Sequence, residues 1–236
     1  VVAGVNGDFF DSNGVPTGIL VSDGYLISSD GGNYAIGFSA DGSAVIGQPS
    51  LRLQGSVNGQ SATLSGFNKA RSSSGGIYAY TYDFKSTHDI GTTDPGVDVI
   101  LEVISESEAL TGFADETPET ACPRIGETSY YRVVSVVENT TGTKTVVGEN
   151  QLVLSANAAA AESYLTYLRS MTEGDIFSLT VTSSDESWNA VTEAVGALYP
   201  LVQDGEICSG LDRSNAPRTA VGIKANGDVV FYTVDG

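Results

Sequence analysis

Basic residues are scarce. The 236-residue chain sets 11 Lys and Arg against 29 Asp and Glu, a formal net charge of -18. That argues against nucleic acid or an anionic membrane surface as a partner, since both are bound through a basic footprint. No run of about 18 apolar residues occurs, so no bilayer-spanning helix is expected. Histidine occurs once, as His88 in Ser86-Thr87-His88-Asp89, where it could act as an acid or base near neutral pH but, as a lone loop histidine, reads as polar only. The two cysteines, Cys122 and Cys208, permit either one disulfide or two free thiols, and neither sits at metal-ligand spacing. No Pro/Ser-rich linker or composition break divides the chain, and its 28 glycines fall at turn positions. A single domain over residues 1–236 is therefore expected.

What is present is a succession of turn signals. Asp23-Gly24, Asp41-Gly42 and Asn58-Gly59 each separate short β-branched or alternating apolar runs, at residues 19–21 and 25–27, 35–39 and 44–46, and 51–57 and 62–64. Repeated Asp-Gly and Asn-Gly steps at this spacing predict antiparallel hairpins. Further strands are expected at residues 77–82 and 97–104, and a hairpin pairing 130–137 with 144–147. Residues 105–127 turn acidic, with Glu106, Glu108, Asp115, Glu116 and Glu119, and read as an exposed insertion. Ser155 and then Ala161, Leu165 and Leu168 at helical spacing predict a helix over 156–171. A strand at 176–181 precedes a second expected helix from Ser184 to Pro200, with Trp188, Val191, Val195 and Leu198 as its core stripe. The fold class that follows is α+β, a mostly antiparallel sheet of hairpins with two helices packed on one side.

Chemistry is suggested at both ends of the chain. Residues 221–225 and 228–234 form a hairpin about Asn226-Gly227, and antiparallel pairing brings Arg218-Thr219 near Asp235-Gly236. Near the start, residues 1–10 are expected to form a short apolar strand ending in Asn6-Gly7-Asp8 and a Phe9-Phe10 anchor. The pattern N-G-x-F-F, then Gly14-Val15-Pro16-Thr17-Gly18 and Ser22-Asp23-Gly24, resembles the phosphodiester glycosidase family. The resemblance continues in family order through Phe67-Asn68-x-x-Arg71 with Tyr80-Thr81, Leu152-Val153-Leu154-Ser155, Leu201-Val202-Gln203-Asp204-Gly205, and A-P-R-T-A-V-G with the final D-G.

The resemblance implies hydrolysis of the bond between a sugar's anomeric carbon and a phosphodiester, on glycan or cell-wall polymers. A guanidinium fork suits the phosphate, which assigns Arg218 and, second, Arg71 to substrate binding. A carboxylate suits the developing oxocarbenium ion, which assigns Asp235 and Asp8 to catalysis. Asn6 and Thr219 would orient the substrate. The alternative is a non-catalytic glycan-binding or surface-structural module of the same fold. No cofactor is expected; Asp11-x-Asn13-Gly14 is similar to the opening of a calcium loop but lacks the remaining ligands. The family pattern runs on into a helix and a D-G-G-G-S-S segment beyond Gly236, so a chain trimmed at both ends is expected. A secreted or cell-surface protein is expected, its export signal outside the sequence.

Overall fold

The computed structural model describes residues 4–71, 75–140 and 142–235. The first part of the chain supplies β1 (Leu20–Ser22), β2 (Tyr25–Ser28), β3 (Tyr34–Ser39), β4 (Ala44–Gly47), β5 (Leu51–Val57), β6 (Gln60–Leu64), β7 (Gly66–Phe67) and β8 (Tyr78–Thr81). The middle supplies β9 (Gly96–Ile104), helix α1 (Glu106–Thr111), β10 (Thr128–Asn139), β11 (Gln151–Asn157), helix α2 (Glu162–Arg169) and β12 (Ile176–Ser183). After a 3-10 segment (Glu186–Ala190) come β13 (Val191–Ala197) and two hairpins, β14 (Val202–Gln203) with β15 (Glu206–Ile207) and β16 (Arg218–Ile223) with β17 (Val229–Val234). The fold is thus mainly β.

The strands sort into a five-stranded sheet, β2-β1-β13-β3-β4, and an eight-stranded sheet, β6-β5-β12-β10-β9-β11-β8-β7, while the last two hairpins form small sheets of their own. Pairing is antiparallel except between β7 and β8. One apolar cluster joins both large sheets and α2, through Ile19, Val21, Leu26 and Val191 on one side and Val99, Leu101, Leu152, Phe177 and Leu168 on the other. The two-residue period of a strand decides what each face sees. In β8, Ala79 belongs to this main core while Tyr78 and Tyr80 point the other way, into a second cluster with Val15, Phe84, Ile90, Val147 and Val153.

Several expectations change here. The second helix is absent. Residues 186–190 form a 3-10 turn that buries Trp188 completely, as a core residue, and residues 191–197 continue as the central strand of the five-stranded sheet. Two valines, Thr192 and Gly196 are poor helix residues, and β13 gains ladders to both β1 and β3, so pairing outweighs the helical spacing of the stripe. The first helix begins later than expected, because residues 151–157 are strand. Residues 144–147 do not pair with β10, whose partners are β9 and β12; Val146 instead bridges Asp89.

The acidic segment is exposed only in its first part. Its end is a buried strap tying the sheets together. The Leu26 N–H donates to the Pro123 carbonyl, the Gly126 N–H to Val181, and the Tyr131 hydroxyl to Ala121. Arg124 lies 4.0 Å over the Tyr25 ring. Both cysteines are free thiols, and burial pushes that of Cys122 up to about 11. Among the described residues no helix is long and apolar enough to cross a membrane.

Candidate functional site

Two chain segments run side by side to build a polar site. The first is a tight loop over residues 8–18, closed where the Thr17 N–H donates to the Phe9 carbonyl at 2.8 Å and Phe10 bridges Pro16. The second is residues 68–71. At the base of the loop sits Asp8, whose Oδ1 accepts from the Phe9 N–H at 2.7 Å and Oδ2 from the Gly18 N–H at 2.5 Å. The carboxylate fits because glycines flank it. A Cβ at Gly18 would stand 2.6 Å from Asp8 Oδ2, and one at Gly196, in β13, would overlap the same oxygen. Lys69 closes the base from the other segment, its Nζ donating to the carbonyls of Pro16, Thr17 and Gly18 at 2.6, 3.1 and 2.7 Å.

The tip of the loop and Arg71 border a cavity of about 400 Å³, lined also by Phe84, Lys85, Asp94 and Asn157. That is within the usual range for small-molecule sites. Its apolar floor is the second cluster, since Val15, Phe84 and Ile90 belong to both. Arg71 is anchored: its guanidinium lies 5.1 Å over the Tyr78 ring and donates to the Ser155 hydroxyl at 2.6 Å and, more weakly, to the Ser155 and Gly76 carbonyls. Its Nε is buried and has no partner among the described residues, and the same holds for Asn157 Oδ1. Asp11 turns its Oδ1 inward to the N–H groups of Asn13 and Val15. Burial opposes its ionisation, but these bonds and the Lys85 charge outweigh it and hold the carboxyl below its ordinary value. The same bonds explain Asp11-x-Asn13-Gly14 as a turn.

One wall of the cavity depends on Asp89. It is 8% exposed, accepts from the Gly91 N–H at 2.8 Å, and faces the ammoniums of Lys85 and Lys144 at 3.6 and 3.7 Å. Burial alone would raise its carboxyl, but the hydrogen bonds of Thr87 and Gly91 and the two lysines hold it below the ordinary aspartate value. The unfolded chain therefore binds the proton more readily. Stability from Asp89 is fully present above about pH 4 and is lost as pH falls through the lower folded value. Thermal melts of the protein and of Asp89→Asn between pH 2 and 6 are expected to differ by roughly 1–3 kcal/mol at neutral pH and to converge in acid; a constant offset would show that the charge is not responsible.

The positions expected from sequence divide into two groups. Asp8 and Arg71 lie along the paired segments, at the loop base and the cavity, and Asn6 is exposed two residues before Asp8. Arg218 and Thr219 lie on the β16–β17 ribbon and Asp235 just past its end, and among the described residues the ribbon pairs with neither large sheet. Arg218 and Asp235 are not ion-paired. Arg218 stands opposite Val234, the last residue of β17, and its guanidinium pairs instead with Asp212 at 2.8 Å. Nor do Phe9 and Phe10 anchor the start of the chain, being 61% and 71% exposed. Residues 4–9 are not strand, and residues 1–3 of that expected strand lie outside the described residues, as does Gly236.

Sequence reasoning missed Lys69, Gly196, Asp94 and Asn157. Lys69 stands inside the F-N-x-x-R motif, and its carbonyl partners form the P-x-G step, so the two motifs are halves of one contact. Asn68 explains the link to Tyr80-Thr81: its amide donates to Thr81 Oγ1 and accepts from the Thr81 N–H, each at 2.8 Å. His88 stacks on Tyr82 with its ring 3.5 Å away and contacts the Tyr82 carbonyl through Nδ1, a packing role that answers for the lone histidine.

A family model described as phosphodiester glycosidase matches residues 1–114 and 129–236, leaving 115–128 outside. A solved structure, "Crystal structure of a hypothetical protein from Synechocystis", is similar with a TM-score of 0.66 and 18% identity, over 96% of this chain and 38% of that one. At that identity the likeness concerns the fold. The chain spans well under half the length of that protein. No curated protein matches the sequence.

Proposed function

The chain belongs to the phosphodiester glycosidase family, and on that premise we propose that it hydrolyses the bond between the anomeric carbon of a sugar and a phosphodiester in glycan or cell-wall polymers. Water oxygen bonds to the anomeric carbon and gives up one proton, the electrons of the broken C–O bond leave on the phosphate oxygen, and free sugar and a phosphomonoester result. The proton passes to that phosphate or to solvent, as the phosphate's second ionisation at about pH 6 sets. The observation that carries the assignment of residues is the Asp8 slot. Of the two carboxylates assigned to catalysis from sequence, Asp8 and Asp235, Asp8 is the one clamped by two backbone N–H groups and fitted between two glycines. A fixed carboxylate beside the anomeric centre stabilises positive charge without reorganising as it develops. Arg71, on the wall of the neighbouring cavity, supplies the cationic side for the phosphate, and Asn6 offers an amide to sugar hydroxyls. A phosphate leaving group is already stable as an anion and needs less protonation than a sugar hydroxyl would.

The ribbon residues Arg218, Thr219 and Asp235 form the competing arrangement, and one assay separates the two. Free sugar and phosphomonoester are followed with a panel of sugar-1-phosphodiesters. Asp8→Asn is expected to lower kcat by about 10² or more, and Arg71→Gln to raise KM. A loss with Asp235→Asn and Arg218→Ala but not with Asp8→Asn would move the site to the ribbon. Tight binding of the same compounds without turnover would leave a glycan-binding module.

A further inference from the structure

The Thr17–Gly18 peptide unit is held from both ends. Its carbonyl accepts from Lys69 Nζ at 3.1 Å, and its N–H donates to Asp8 Oδ2 at 2.5 Å. An ammonium on the oxygen and a carboxylate on the hydrogen polarise the same amide in the same sense, so each bond strengthens the other. The carbonyls on either side, those of Pro16 and Gly18, also accept from Lys69. Three successive carbonyls around one Nζ leave the loop base little freedom to move. The glycine slot completes the clamp: Gly18 lies against Gly196, whose Cα is 2.8 Å from the Cβ position of Gly18, and a side chain on either would meet Asp8 Oδ2.

We propose that Lys69 is a positioning residue, holding the Asp8 carboxylate in its slot through the Thr17–Gly18 peptide as long as its ammonium is charged. The idea extends the reading of Asp8 given above, but the contact itself does not depend on that reading. An ammonium has three N–H donors for the three carbonyls, whereas the neutral amine has two, so losing the proton releases one carbonyl and removes the charge that polarises the peptide. Burial brings that loss within reach, lowering Lys69 to about 8, against the pull of the Asp8, Asp30 and Asp11 carboxylates that face it. At higher pH the loop base loosens and Asp8 leaves its geometry.

Two measurements test this on the whole chain. In the first, the Lys69 side-chain carbon signal and the Gly18 amide signal are titrated by NMR from pH 6 to 11. Both are expected to move with one midpoint, at about 8 in the wild type, and at a lower pH in Asp8→Asn, where a carboxylate favouring the charged form is gone. A Gly18 amide that does not follow Lys69, or a Lys69 midpoint unmoved by Asp8→Asn, overturns the proposal. In the second, the pH profile of kcat/KM on the sugar-1-phosphodiester panel is compared among variants. The wild type is expected to fall above about pH 8. Lys69→Met is expected to be low throughout, by roughly tenfold to a hundredfold, as for a displaced catalytic group. Lys69→Arg, always charged, is expected to recover part of that activity and to keep it to higher pH. Equal activity in Lys69→Met and the wild type overturns the proposal even if the protein is a glycosidase. Coupled titration without any hydrolysis keeps the contact and removes the glycosidase reading.

Discussion

Gly196→Ala is expected to abolish most of the turnover while leaving the protein folded. The new methyl group would overlap Asp8 Oδ2 and stand 2.7 Å from Gly18 Cα, so the carboxylate leaves its slot and the backbones of β13 and the loop also shift apart. The backbone shift has a cost. Gly196 lies in the central strand, its N–H donating to the Ile19 carbonyl at 2.9 Å, and displacing packed backbone costs about 1–3 kcal/mol. The carboxylate, at the end of a side chain, moves further than the backbone does, and displacing a catalytic group by about 1 Å costs on the order of 10² in rate. The check is kcat/KM on sugar-1-phosphodiesters beside a thermal melt. Unchanged turnover in a folded Gly196→Ala protein would show that Asp8 is not used. The reciprocal Gly18→Ala change should behave alike, since its methyl group would meet the same oxygen.

The second large effect is on stability, from Asn68→Ala. Asn68 is 2% exposed and takes a left-handed backbone, with φ +48. Its side chain donates to the Ile27 carbonyl and to Thr81 Oγ1 and accepts from the Thr81 N–H, each at 2.8 Å, linking the end of β8 to β2. Truncation would leave those groups buried without the partner they had, at about 1–3 kcal/mol for each group left unsatisfied. Alanine also lacks the tolerance of asparagine for the left-handed region. A total loss of about 3 kcal/mol or more, read from urea unfolding, is expected. Because Lys69 and Arg71 hang from the same turn, kcat/KM should fall as well. A loss below about 1 kcal/mol would show that solvent replaces the amide freely.

The hairpins were legible because their signals are local. Asp23-Gly24 and Asn58-Gly59 take positive φ at both residues, as a two-residue turn requires, and the strands on either side pair as alternation demands. The Asn226-Gly227 hairpin also forms, with a different turn. Only Gly227 has positive φ, at 88, and the Gly227 N–H donates to the Lys224 carbonyl, a three-residue loop ending in a glycine bulge. The expected helix over residues 184–200 failed for the opposite reason. Its stripe fits helical spacing and also fits a buried turn followed by a strand, and the choice depends on β1 and β3, which lie far off in sequence.

By itself, then, the sequence determined what acts over a few residues or over the whole chain at once. It set the turns, the alternation that gives each strand an inner face, the acidic charge, and the ordered motifs that place the chain among phosphodiester glycosidases. Only the tertiary structure decided which of those motifs touch. It set Lys69 on the carbonyls of residues 16–18, brought Gly196 against Asp8, and left Arg218 with Asp212 on a separate ribbon. The reason is physical. Turn and strand preferences are settled by local sterics, whereas the meeting of distant side chains follows from how two sheets bury their apolar faces against one another, a balance summed over the whole core.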